Sequence, residues 1–207
     1  MRLFIAAELD DGARAAVSGA VAHFRALSER ERQDAARGVS WVAVPKLHLT
    51  LHFLGDVDES RVPALQEALE PGLEVGAPRI GLEGWGVFPP SGAARVIWLG
   101  VTAGADILAS AHAVLGRRLR SAGLTPELRP FSPHLTVGRV KIPSGAHWNR
   151  LAAAVPSGAV CEWDLRACTL FHSHLSSAGP TYRALLSIPF AGASSAAPAD
   201  AEAHRAE

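Results

Sequence analysis

This chain has no surplus of charge of either sign: 20 Lys plus Arg stand against 20 Asp plus Glu, for a formal net charge of zero. Proteins that follow long nucleic acid along a basic stripe need such a surplus, because their affinity comes largely from phosphate neutralisation and counterion release. The balance speaks against that class and is compatible with recognition of one phosphate at a chain end. Lysine is almost missing, so the basic residues are nearly all Arg, which suits bidentate phosphate contacts. Cysteine is scarce as well. Cys161 and Cys168 alone, with no leader pattern, read as reduced thiols and exclude a disulfide framework. No apolar run approaches the roughly 20 residues that span a bilayer, and the N-terminus enters a strand pattern directly. The expectation is a soluble cytoplasmic protein with no membrane partner. At 207 residues, 48% of them hydrophobic, there is length for one domain or two intimately joined lobes.

What the chain does contain is one short stretch used twice: His48-Leu49-Thr50 within LHLTLHFLG and His134-Leu135-Thr136 within PHLTVGRV. The alternation of apolar and polar residues predicts a strand at each. Residues i and i+2 of a strand share a face. Each strand therefore offers one imidazole beside one hydroxyl, while Leu47, Leu49, Leu51 and Phe53, or Leu135 and Val137, point into a core. Two such strands facing across a cleft can hydrolyse a phosphodiester without a metal. One imidazole activates water and the other protonates the departing oxygen, both states being accessible near a pKa of about 6.5. The hydroxyls of Thr50 and Thr136 then donate to the non-bridging phosphate oxygens. A lone H-x-T is usually an ordinary half-buried strand; duplication in matching contexts favours the chemical reading.

Along the chain, RLFIAAEL (2–9) predicts a strand with Phe4 on its more polar face, either a base-stacking platform or part of a strand buried on both faces. Asp10 or Asp11 caps a helix that carries Ala13, Val17, Ala20, Val21, Phe24 and Leu27 inward and continues in polar residues to Gly38. After the first motif strand come a short helix with Val62, Leu65 and Leu69, a strand over 79–88, a Pro-Gly loop and a strand over 94–101. A helix over about 105–122, the second motif strand, a short helix near 146–155 and strands at 160–171 and 182–188 follow. Strand, helix, motif strand, helix, strand thus occurs twice, from Arg2 and from Arg95. That duplication predicts an α+β fold with mixed sheets, its two halves related by a pseudo-twofold around a cleft. Residues 1–190 are expected to form a single bilobal domain and 191–207 a disordered tail.

The blocks RLFIAAEL, VPKLHLTLHFLGDV, VFPP with ARVIWLGV, PFSPHLTVGRV and SHLSSAGPTY, in that order over about residues 1–188, resemble the RNA 2′,3′-cyclic phosphodiesterases, also called 2′-5′ RNA ligases, of the two-histidine phosphoesterase superfamily. The departures are His172 and His174, which flank a Ser, and the final residues, which match nothing. The resemblance implies lobes not simply divided by sequence and hydrolysis of a 2′,3′-cyclic phosphate RNA end to a 2′-phosphate. It also implies that His48 is the general acid, that His134 is the general base and that 2′-5′ ligation is the reverse reaction. The residues alone leave those two roles open, since the motifs are near-equivalent. Arg139 completes an H-x-T-x-x-R pattern similar to the family's second motif. Strict alternation turns it away from His134, but Gly138 permits a bend.

No metal or other cofactor is expected. His48 and His52 on one strand lie about 13 Å apart, too far to chelate one ion, and no acid joins either motif. His52, His172 and His174 read as cleft-rim or substrate-proximal residues. Trp85, Trp98, Trp148 and Trp163 read as core, and Tyr182 as structural. The expected partner is RNA with a 2′,3′-cyclic phosphate end, bound by a monomer. Two rivals remain: a phosphodiesterase for a small cyclic nucleotide or ADP-ribose cyclic phosphate, and a non-catalytic RNA-end-binding module.

Overall fold

The computed structural model describes residues 1–31, 38–126, 130–142, 147–176 and 179–193. The chain runs β1 (Arg2–Glu8), α1 (Asp11–Glu31), β2 (Val39–Trp41), β3 (His48–Asp56), α2 (Val62–Leu69), β4 (Leu73–Gly76), β5 (Arg79–Phe88), β6 (Val96–Val101), α3 (Ala105–Ser121), β7 (His134–Val140), α4 (His147–Ala154), β8 (Ala159–Asp164), β9 (Ala167–Ser176) and β10 (Gly179–Ala191). Local chemistry sets the helix starts. Asp10 Oδ1 accepts the Ala13 N–H at 2.7 Å, an N-cap bond that begins α1. Gly104 opens α3 at φ 75°, where a Cβ would lie 2.7 Å from the Arg79 carbonyl oxygen, so only Gly fits.

The strands form one sheet in the order β4-β10-β9-β1-β3-β7-β6-β5-β8, with β2 on β7. Every pairing is antiparallel except β10 with β4. The duplication expected from sequence is present as β1-α1-β3-α2-β5 and β6-α3-β7-α4-β8. The halves exchange helices, however. The helix that follows β1, α1, packs on β8 of the second half, whereas α3, which follows β6, packs on β3 and β4 of the first. The lobes are therefore not divided by sequence. Apolar side chains fill the layer between sheet and helices, among them Leu3, Ile5, Leu49, Ile97 and Leu99 from the strands and Leu119 and Trp148 from α3 and α4, each at most 2% exposed.

Several elements differ from expectation, among them the short strand β2 paired on β7. The strand expected over 160–171 is two strands, because β8 pairs with β5 and β9 with β1, so the chain crosses between halves at Leu165 and Arg166. A short strand, β4, follows α2, and the last strand extends to Ala191. The region from 194, most of the expected tail, lies outside the described residues. Among the described residues, no helix is long and apolar enough to cross a membrane.

Both motif strands carry a β-bulge at the same motif position. In β3 the register steps from Ala6↔Thr50 to Ile5↔His52, leaving Leu51 unpaired. In β7 it steps from Trp98↔Thr136 to Ile97↔Gly138, leaving Val137 unpaired. An extra residue reverses the alternation beyond it. Phe53 accordingly leaves the core face to which alternation assigns it and is 57% exposed, while His52 turns inward and is 3% exposed.

Candidate active site

The two halves of the sheet meet at a single residue pair, Leu49↔Leu135, between antiparallel β3 and β7. Antiparallel geometry around that pair sets His48 beside Thr136 and Thr50 beside His134, all four on the face away from the two buried leucines. The ladder stops there, and the strands open around a cavity of about 780 Å³ lined by His48, Thr50, His134, Thr136, Arg139 and Phe4. All six residues singled out from sequence thus border one space. Arg139 reaches it because the Val137 bulge resets its face; strict alternation would have turned it away. Gly138 is needed for packing, since a Cβ there would lie 2.9 Å from Val39 Cγ1 and 3.1 Å from Trp41 Cε3. Among the described residues the lining also includes Arg2 and Lys46 and no carboxylate, a local excess of cation in a chain of zero net charge.

The two imidazoles are oriented alike. His48 Nδ1–H donates to the Lys46 carbonyl and His134 Nδ1–H to the Ser132 carbonyl, each at 2.8 Å and each two residues back in the chain. A carbonyl can only accept, so Nδ1 carries the proton and Nε2 is the nitrogen available to the cavity. Neutral, that Nε2 is a base; protonated, it is an acid. Burial lowers the pKa of His48, the Lys46 carbonyl opposes this, and the charges of Arg139 and Arg14 lower it further.

Aromatic rings wall each imidazole. His48 lies 5.0 Å from Phe4 and 5.5 Å from Tyr182, the latter edge-on at 87°. His134 lies 5.1 Å from Phe88, edge-on at 82°, and 6.1 Å from Trp98. Phe4 is 5% exposed in a strand buried on both faces. It is therefore the packing surface for His48 and not a projecting platform. Trp98 is half-buried on the cleft face, in register with Thr136, and not part of the main core. Its ring lies over Gly86, where a Cβ would come within 2.1 Å. Alternation in VIWLGV, with Ile97 and Leu99 inward, carried that signal. Phe88 lay within the VFPP block of the resemblance, and Lys46 had no signal beyond its nearness to the first motif.

Of the other histidines expected near the cleft, His52 borders the cavity, whereas His172 and His174 do not. His52 stacks on His112 at 4.0 Å and donates from Nε2 to the His112 carbonyl at 2.8 Å. Phe131 stacks on His112 at 4.4 Å, and these rings close one end of the cavity. His172 pairs across the sheet with core residue Leu3, and its ring lies 3.8 Å from His174. Both therefore occupy the face opposite Ser173, which lines the cavity.

Residues 13–175 match the model of the 2′-5′ RNA ligase superfamily. The chain is 33% identical over 187 residues to an RNA 2′,3′-cyclic phosphodiesterase of Archaeoglobus fulgidus, covering 89% of this chain and 98% of that one. A solved Thermus thermophilus structure shares 30% identity with a TM-score of 0.68, covering 93% of this chain and 99% of that one. The structure of E. coli LigT with 3′-AMP has a TM-score of 0.70 at 24% identity, covering 92% and 98% of the respective chains, and attests the fold.

Proposed function

The chain belongs to the 2′-5′ RNA ligase superfamily, and on that premise we propose that it is an RNA 2′,3′-cyclic phosphodiesterase working by metal-independent general acid–base catalysis. The observation that carries this is the pair of imidazoles, each with Nδ1 tied to a backbone carbonyl and Nε2 left to one shared cavity. Thr50, Thr136 and Arg139 border the same space and hold the non-bridging oxygens, Arg139 offsetting the charge that builds on phosphorus. In line with the family resemblance, His134 Nε2 takes a proton from water as its oxygen bonds to phosphorus. His48 Nε2–H gives a proton to O3′ as the P–O3′ bond breaks. The sum is one water added and a 2′-phosphate with a free 3′-hydroxyl produced. The two histidines end with their protonation exchanged and reset through solvent. With the 5′-hydroxyl of a second RNA end in place of water, the same groups would deprotonate that hydroxyl as it bonds to phosphorus and protonate O3′ as the P–O3′ bond breaks, giving a 2′-5′ linkage.

The test is end-group analysis of an oligoribonucleotide bearing a 2′,3′-cyclic phosphate, incubated with and without EDTA. A 2′-phosphate product in both samples is expected. A 3′-phosphate product, or loss of turnover that zinc or manganese restores, would contradict the proposal.

A further inference from the structure

Each motif imidazole takes its tautomer from a carbonyl two residues back, but the two carbonyls are held in place differently. Lys46 ends the 3₁₀ turn Val44–Lys46. Its N–H donates to the Ala43 carbonyl at 2.8 Å, and the Leu47 N–H donates to the Val44 carbonyl at 3.2 Å. Arg14 ties this turn to α1, its Nη1 donating to the Val44 carbonyl at 3.1 Å. Among the described residues Ser132 has no such frame. No backbone hydrogen bond of a turn or loop fixes 130–133 there, and Pro130 and Pro133 lack N–H groups altogether. The sheet does not supply the hold either, because β6 pairs with β7 only from His134 onward and β3 pairs with β7 only at Leu49↔Leu135.

What holds the segment is a column of rings. Phe131, the residue before Ser132, stacks on His112 of α3 at 4.4 Å and 10°, and His112 stacks on His52 of β3 at 4.0 Å and 13°. The base of the column is fixed, since His52 is 3% exposed and its Nε2–H donates to the His112 carbonyl at 2.8 Å. Burial, with the neighbouring His52, lowers the pKa of His112 to about 4, so at neutral pH the rings stack uncharged. Stacked rings prefer one offset geometry, so the column resists sliding of Phe131 as well as its departure. It runs from the first motif strand through α3 to the approach of the second, across the gap where the ladder has stopped. Because Pro133 follows, Ser132 is confined to extended backbone, and a seated Phe131 therefore sets the carbonyl after it.

We propose that His112 is a positioning residue for His134: by seating Phe131 it holds the Ser132 carbonyl where that carbonyl keeps the His134 proton on Nδ1 and leaves Nε2 bare toward the cavity. A neutral imidazole that loses its carbonyl exchanges between two tautomers, and the Nε2–H form cannot take a proton from water at that nitrogen. The general base thus depends on the column. The general acid does not, because an imidazolium carries a proton on both nitrogens, and because the carbonyl facing His48 is framed by its own turn and by Arg14. This inference rests on the phosphodiesterase reading above, with His134 as its base.

The experiment compares the full chain as wild type, His112→Ala, His112→Phe and Phe131→Leu. It reads kcat and KM on a cyclic-ended oligoribonucleotide and the imidazole ¹⁵N NMR shifts that report each histidine's tautomer. In His112→Ala and Phe131→Leu, kcat should fall about tenfold or more while KM stays within about twofold. The His134 signals should move toward the Nε2–H tautomer in both, and those of His48 should not. His112→Phe, which keeps a stacking ring, should restore kcat and the His134 tautomer together. If the His134 tautomer is unchanged in both disrupting variants, or if KM rises with kcat unchanged, the column is only a wall of the cavity and the inference is overturned while the phosphodiesterase reading stands. Movement of the His48 and His134 signals alike would overturn it too, as the mark of general loosening. Absence of wild-type turnover would overturn the phosphodiesterase reading itself, and the inference with it.

Discussion

At the residue scale the site turns on the electrostatics of two imidazoles in unequal surroundings. His48 is held neutral to lower pH than an ordinary histidine, chiefly by burial, with Arg139 adding repulsion. Its NMR titration midpoint is therefore expected below 6.5, the usual value, and Arg139→Gln should move it upward; a midpoint at or above the usual value would contradict this picture. Arg139→Gln should also weaken substrate binding and rate together. Thr50→Ala and Thr136→Ala each remove a neutral donor. Each should cost about 1–2 kcal/mol, or roughly five- to thirtyfold in kcat/KM, which steady-state kinetics can read. The motif residues and their chemistry were legible in sequence because period-2 spacing puts His and Thr on one face. The set of rings that walls them was not, since Phe88 on β5, Trp98 on β6 and Tyr182 on β10 reach the histidines through the strand order β5-β6-β7 and the β9-β10 pairing, which only the fold reveals.

At the scale of the element, the bulges decide what the motif strands present. Alternation placed Phe53 on the core face and His52 on the cleft face, and one extra residue at Leu51 reversed both. No local signal announces such a bulge: the residue left unpaired in β3 is Leu and in β7 Val, ordinary strand formers. The inward turn of His52 creates the stack with His112 and Phe131, and the stack has a consequence for stability. Burial first, then the charge of His52, lowers the pKa of His112 to about 4, and burial also lowers that of His52. The unfolded chain binds these protons near the ordinary value of about 6.5, before the folded chain does. Stability present above pH 6.5 is therefore lost as pH falls toward 4. His112→Phe keeps the stack and the backbone carbonyl that His52 uses, but removes one titrating ring. Thermal melts should show a shallower loss of Tm across that window in the variant; parallel curves for variant and wild type would contradict the assignment.

Taken whole, the molecule is a duplication whose repeats exchange elements, β5 of the first pairing with β6 and β8 of the second, while the two halves of the sheet meet at one residue pair. The repeat was readable in sequence because each half repeats the same element order around an H-x-T. The exchange was not, because an element's apolar face says that it packs and not on which half. For the same reason the single strand expected over 160–171 resolves into two, with the crossing between halves falling at Leu165, itself 4% exposed, which gives no sign of a break in the apolar pattern. This architecture brings the two imidazoles to one cavity from opposite halves, and the central claim is that they act there as a general acid and a general base. The most direct measurement is single-turnover hydrolysis of a cyclic-ended oligoribonucleotide by His48→Ala, His134→Ala and the double variant, with binding measured in parallel. Each single variant is expected to lose about 10²–10⁴-fold in rate with little change in affinity, and the double variant should be little worse than the poorer single. Near-wild-type turnover in either single variant would contradict the claim and leave the paired motifs as a device for recognition.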